Sequence, residues 1–224
     1  VPQRPYWVSG TMILYASYTR GARSLDALRA SNFRLLVTPE YYRSRAPYWS
    51  DGSPAPYALD NGAYGCHKRG EPFNWPRFDA LADGLGDGAD WIVAPDILGG
   101  GLESLAMSVE WLKGWDRCPV LIAVQDGMRP LDVRPHLSPR VGIAVGGTTE
   151  FKEQTMVAWG RLAHEMGIHL HALRVNTLRR LKICRGAGVV SVDGSRASKF
   201  AEQEAALIKQ WADALSAQQT LGVW

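Results

Sequence analysis

Three aspartates and one glutamine stand directly behind short apolar runs, the position from which a strand delivers a side chain to the rim of a parallel sheet. The runs are Tyr57-Ala-Leu-Asp60-Asn61-Gly62-Ala63-Tyr64, Trp91-Ile-Val-Ala-Pro-Asp96, Leu121-Ile-Ala-Val-Gln125-Asp126-Gly127 and Val189-Val-Ser-Val-Asp193-Gly194-Ser195. A fifth, Gly142-Ile-Ala-Val-Gly146-Gly147, stops at a glycine pair. A lone strand-terminal Asp is often a helix cap or turn former, and Gly146-Gly147 can serve a tight turn. Three acids on one rim are a stronger signal, because packed carboxylates repel each other and need a purpose. One carboxylate can attack the anomeric carbon of a sugar, whose oxocarbenium-like transition state welcomes negative charge. Others can accept the N–H donors of a guanine edge, while its O6 needs a donor such as a Gln amide or a glycine N–H. His171, inside an apolar strand, reads as a core histidine, and His67, His136, His164 and His169 fall into no metal-like spacing.

The elements that must hold these groups follow from period. Apolar, β-rich runs cover Met12 to Ser17, Phe33 to Thr38, Tyr57 to Asp60, Trp91 to Pro95, Pro119 to Val124, Val141 to Val145, His169 to Val175 and Val189 to Val192. Amphipathic stretches fall between them. Leu102, Leu105, Val109 and Leu112 share one face of a helix, as do Trp159, Leu162 and Met166 within Thr149 to Met166. Phe200, Leu207, Trp211 and Leu215 do the same in a closing helix from Ser198 to Ala217. About eight βα units predict a compact (β/α)8 TIM barrel, with an open doubly wound sheet as the alternative. Glu40 to Pro56 lacks periodicity and reads as a long exposed loop. No linker or repeat divides the chain, so residues 1–224 read as one domain.

Composition narrows the class. With 46% hydrophobic residues the chain is globular, and 25 Lys and Arg against 22 Asp and Glu leave a net charge of +3. That is too little for a uniformly basic nucleic-acid binder, so any such site is a local patch. No apolar run reaches the roughly 20 residues that span a bilayer. Val1-Pro2-Gln3-Arg4 has no signal-peptide core behind it, and the residues before Met12 carry no motif. A soluble cytoplasmic protein without membrane contact is expected. Cys66, Cys118 and Cys184 are odd in number and widely spaced, which predicts reduced thiols and neither a disulfide framework nor a zinc site.

At the rim motifs the sequence resembles the tRNA-guanine transglycosylase superfamily. Asp60-Asn61-Gly62-Ala63-Tyr64 is similar to its Asp-Ser-Gly-Gly-aromatic motif, Val-Gln125-Asp-Gly to its Gln-Gln-Gly, Ala144-Val145-Gly146-Gly147 to its Ala-Val-Gly-Gly, and Asp193 to the acid closing its Gly-Ile-Asp-Met-Phe-Asp motif. The likeness runs from about Tyr57 to Lys199. It implies Asp193 as nucleophile and Asp60 as general base, with Asp96, Gln125, Gly146 and Gly147 holding the base edge and Tyr64 and Leu173 sandwiching the ring. The family's zinc-binding subdomain has no counterpart after Asp193, which resembles the small deazapurine DNA-modification proteins (DpdA). The resemblance therefore implies a DNA-guanine transglycosylase exchanging guanine for a 7-deazaguanine such as preQ0, through a deoxyribosyl-aspartate ester and without cofactor or metal. A reduced tRNA enzyme, a non-catalytic accessory barrel and an ordinary glycoside hydrolase are the alternatives. Loss of the extension, which also dimerises the family, implies a monomer.

Charge placement adds an expected DNA contact: Arg174, Arg179, Arg180, Lys182, Arg185, Arg196 and Lys199 crowd around Asp193. Their alternative is a solvated helix face. Tyr41, Tyr42, Arg43, Arg45, Tyr48 and Trp49 mix aromatics with cations in the long loop, as stacking elements do.

Overall fold

Alternation along each short strand decides what faces where. In Val120–Val124, the side chains of Val120, Ile122 and Val124 join the layer beneath the helices, whereas Leu121 and Ala123 join a separate inner cluster. The same two-residue period sends Tyr15, Leu36, Ala58, Trp91, Val93 and Ala144 inward. Two apolar layers, one on each face, mean that both faces of the sheet are covered.

A computed structural model of the chain describes residues 11–220, with side chains as far as Leu215. Residues 1–10, to which the sequence assigns no motif, lie outside the described residues. The strands are β1 (Ile13–Ser17), β2 (Arg34–Val37), β3 (Tyr57–Leu59), β4 (Ile92–Val93), β5 (Val120–Val124), β6 (Val141–Val145), β7 (Leu170–Ala172) and β8 (Ser191–Asp193). Each pairs in parallel with its sequence neighbour, and β8 pairs with β1 through Tyr15 opposite Asp193, so the sheet is a closed barrel. The helices are α1 (Ala22–Ala30), α2 (Ala63–Arg69), α3 (Trp75–Leu85), α4 (Gly101–Leu112), α5 (Pro130–Val133), α6 (Thr149–Met166), α7 (Leu178–Gly186), α8 (Ser195–Lys199) and α9 (Ala201–Thr220). The architecture is a compact (β/α)8 barrel, and the open sheet is ruled out.

Aromatic bulk fills the interior. Tyr15 and Trp91 meet edge to face at 5.0 Å, and Trp91 lies 4.6 Å from the His171 ring. At the strands' N-terminal end Asp90 accepts from the Tyr15 hydroxyl at 2.9 Å and from Arg34 at 2.6 Å, which closes that face with a satisfied polar plug.

Three local expectations are corrected. The β2–β3 connection has no helix among its described residues, as expected of a loop, but it is not exposed throughout. Instead Trp49 and Ala55 bury themselves in the outer core, the Trp49 turn being closed by its amide on Ser53 O at 2.9 Å, and so take a helix's place. The closing helix breaks at Phe200, whose backbone leaves helical values, and Phe200 is 55% exposed. The buried face of α9 is Ala201, Ala205, Ile208 and Ala212, so the expected stripe through Leu207 is out of register. On α4, Leu102 is 55% exposed while Ser104 and Ser108 are buried, because both serine hydroxyls bond the loop after β4.

Candidate active site

The inward period continues one step beyond the strands, so Asp60 after β3, Gln125 after β5 and Leu173 after β7 are delivered to the C-terminal mouth together with Asp193 at the end of β8. Asp60 keeps part of its surface open. Its amide donates to Val37 O at 2.9 Å, and its Oδ1 accepts the Gly62 N–H at 2.9 Å. Gly62 has φ +78, and a Cβ there would stand 2.9 Å from Pro39, so this turn requires glycine. Burial pushes the Asp60 carboxyl up to about 7, the Gly62 amide opposing and the Asp193, Asp96 and Glu40 carboxylates adding to the rise. Asp96 is buried and raised to about 6 by burial, with the Asn61 amide and the Arg174 charge pulling it back. Asn61 spans the two strands: its Nδ2 donates to Asp96 Oδ1 at 2.8 Å and to Ala94 O at 2.6 Å, and its Oδ1 accepts from Ala63 N at 2.9 Å.

Asp193 is buried, and both of its recorded side-chain bonds use Oδ1: the Arg174 amide at 3.0 Å and His171 Nε2 at 3.2 Å. Arg174 adopts φ +58, an uncommon conformation for a residue with a side chain, and the turn aims its amide at Asp193. Its guanidinium donates to Gly147 O at 2.9 Å and sits 4.5 Å over the Tyr64 ring. Expected among the phosphate contacts, Arg174 is thus a crossbeam of the mouth, joining the ends of β6, β7 and β8 to α2. Tyr64 remains 48% exposed, with one face given to that cation, and Leu173 packs on the inner cluster.

Beneath Asp193 runs a buried polar chain that the motif reading passed over. Ser191 Oγ lies 2.6 Å from His169 Nε2 and 2.8 Å from His171 Nδ1. If His171 is neutral and donates from Nε2 to Asp193, its Nδ1 must accept; the Ser191 proton then points to it, and Ser191 accepts in turn from His169. Burial pushes the His169 imidazole well below its ordinary value, in keeping with a neutral ring. The available signal was the spacing: His169-x-His171 on β7 and Ser191-x-Asp193 on β8 share a face, with His171 opposite Ser191.

Gln125 reaches the rim but is committed to the loop after β4. Its Nε2 donates to Ile97 O at 2.8 Å and Ser104 Oγ at 2.9 Å, and its Oε1 accepts from Gly99 N at 2.6 Å. This amide braces a loop, where the sequence suggested a grip on a base. The Gly146 amide is likewise spent in the sheet on Val124 O at 2.8 Å. Gly147 has φ +72, and a Cβ would fall 2.5 Å from Asp126 Oδ2, the carboxylate that caps Thr148. The turn therefore needs its glycine for packing.

Among the described residues, carboxylates partner three of the seven members of the expected basic patch. Arg179 and Arg180 face Glu153 at 2.7 and 3.8 Å, and Arg196 faces Glu204 at 2.7 Å, while Lys199 is exposed. Sequence reasoning also missed Lys152 on α6. It is buried, its Nζ donates to Leu173 O at 2.9 Å, and burial together with the nearby Arg174 charge pushes it down to about 8. Among the described residues no three His, Cys, Asp or Glu side chains are grouped to hold a metal ion, and the three cysteines are free and buried. No described helix is long and apolar enough to cross a membrane.

No family model and no curated protein matches the sequence. Among solved structures the chain is similar to one described as "Native KDPGal structure", with a TM-score of 0.56 and 14% identity, over 91% of this chain and 96% of that one. At that identity the likeness is one of fold. The expected function is corrected: the structure matched is described by KDPGal and not by a base exchange, so the DNA-guanine exchange, its preQ0 substrate and its tRNA variant are set aside.

Proposed function

We propose that the chain is an enzyme whose mouth carboxylates cleave a glycosidic bond of a small sugar-bearing molecule by hydrolysis. The observation that carries this reading is the contrast between Asp60 and Asp193 at one mouth. Asp60, pushed up to about 7, holds a proton near neutrality and can give it to a leaving oxygen or nitrogen. Asp193 faces N–H donors at Oδ1, an arrangement suited to a carboxylate, and Oδ2 takes no recorded bond among the described residues. It can meet positive charge as it develops at the anomeric carbon. Asp96 and Asn61 form the adjoining wall, and Arg174 over Tyr64 narrows the opening. Gln125, occupied by the loop after β4, has no amide group left over to grip a base.

The test uses 4-nitrophenyl glycosides beside the matching alkyl glycosides. A 4-nitrophenolate leaves without protonation, so Asp60→Asn should keep most activity on the activated series and lose it on the alkyl series. Asp193→Asn should lose both. Equal loss in Asp60→Asn on both series would deny Asp60 the acid role.

A second reading is favoured by Lys152. An amine pushed down to about 8 is partly neutral at working pH and could add to a carbonyl. Against it, no strand among the described residues carries a lysine, and the Lys152 amine is turned onto Leu173 O. Borohydride in the presence of pyruvate would leave a stable adduct on Lys152 under this reading and none under the first.

A further inference from the structure

A cavity of about 270 Å³ opens beside the mouth, lined by Tyr18, Val37, Tyr41, Tyr42, Tyr48 and three arginines, Arg20, Arg43 and Arg45. Val37 ends β2, and its carbonyl takes the Asp60 amide, so the cavity lies on the barrel's C-terminal face one strand from the acid. Among the described residues none of the three arginines forms an ion pair. Nearby carboxylates are engaged elsewhere: Glu40 with Arg69 at 3.4 Å and Asp51 with Arg29 at 2.7 Å. Arg43 donates to the Glu40 and Tyr42 carbonyls, and Arg45 lies 4.6 Å over the Tyr48 ring with a 2.6 Å bond to its hydroxyl. The loop is thus folded so as to bring three like charges to one concavity without a neutralising acid, an arrangement that repels itself until an anion enters.

We infer that this cavity binds the phosphate group of a small phosphate monoester, with the tyrosine rings against the rest of the ligand. Guanidinium forks match phosphate oxygens in pairs, and tyrosine hydroxyls supply further donors. The volume sits just below the range of ordinary ligand pockets, roughly 300–1,000 Å³, and fits one phosphorylated group. The site does not depend on the hydrolytic reading, since nothing in it uses Asp193.

Calorimetric titration with inorganic phosphate, adenosine 5′-monophosphate and adenosine tests it. Both phosphates should bind at millimolar concentration or tighter and weaken as salt rises, while adenosine binds far more weakly. Arg20→Ala and Arg45→Ala should each weaken binding about tenfold or more, the scale of one lost charged hydrogen bond. Asp193→Asn should leave it unchanged, which separates this site from the catalytic reading. Arg45→Ala also removes the stack on Tyr48, so Arg20→Ala, with no ion pair to lose, reads the cavity by itself. No phosphate binding, adenosine binding as well as its monophosphate, or native affinity in Arg20→Ala would each overturn the proposal.

Discussion

His171 Nε2 and Asp193 Oδ1 face each other across 3.2 Å at the junction of β7 and β8, inside the barrel, with Ser191 and His169 continuing the contact toward the floor. The pair makes Asp193 the end of a satisfied polar column. Replacing His171 by Phe removes a donor from Asp193 and a partner from Ser191, so the chain should lose about 2–4 kcal/mol of stability. His171→Gln, which can still donate, should lose less. Urea denaturation compares the two; a larger loss in His171→Gln than in His171→Phe, which keeps a ring against Trp91, would mean that ring packing and not the hydrogen bond is what matters.

Asp60 and Asp96 carry opposite consequences for activity and stability. Both are protonated more readily in the folded chain than in the unfolded one, at about 7 and about 6. The native state therefore keeps its protons longer, and the stability gained at acid pH is lost as pH rises from about 4 to about 7. Asp60→Asn should be more stable than the native chain at pH 8 by of the order of 2 kcal/mol, and by little at pH 4. Denaturation at the two pH values checks this. Hydrolysis that needs the Asp60 proton should decline as pH rises through about 7.

Gln125 is expected to act through the loop. Gln125→Met leaves Gly99 N without its bond and takes one bond each from Ile97 O, which keeps the Gly100 amide, and Ser104 Oγ, which keeps the Ile97 amide, so amides from Ile97 to Gly100 should exchange faster and stability should fall by about 1–3 kcal/mol. Hydrogen exchange read by mass spectrometry is the measurement. Unchanged protection there would mean that the amide is not the brace.

Gly147→Ala tests the turn beside Arg174. A side chain at φ +72 is strained, and here it also meets Asp126 Oδ2, so a cost of about 1–3 kcal/mol is expected. Loss of the Asp126 cap on Thr148 should follow, visible as fraying at the start of α6.

The barrel was legible because its signal is a period. β6 and α6 have the bounds read from the sequence, and alternation alone places Asp60, Gln125, Leu173 and Asp193 on the inner side. What stayed hidden depends on partners distant in sequence. Gln125 looks like a ligand group until Ser104, 21 residues away, claims its amide. Arg179, Arg180 and Arg196 look like a basic patch until Glu153 and Glu204 fold against them. Lys152 is lost among the charges of a helix start, and His171 passes for core because its partners Ser191 and Asp193 arrive on the next strand. The α9 register slipped for a simpler reason: Ala201, Ala205, Ile208 and Ala212 make a small-residue stripe, which hydrophobic size underrates beside Phe200 and Leu207.

The proposed hydrolysis stands on an Asp60 carboxyl that carries a proton at neutral pH in the same mouth that holds Asp193. Carbon-13 labelling of the aspartate side chains, with Asp60→Asn to assign its signal, measures this without any substrate. The Asp60 carboxyl carbon should titrate near 7. Titration near 4, the ordinary aspartate value, would contradict it.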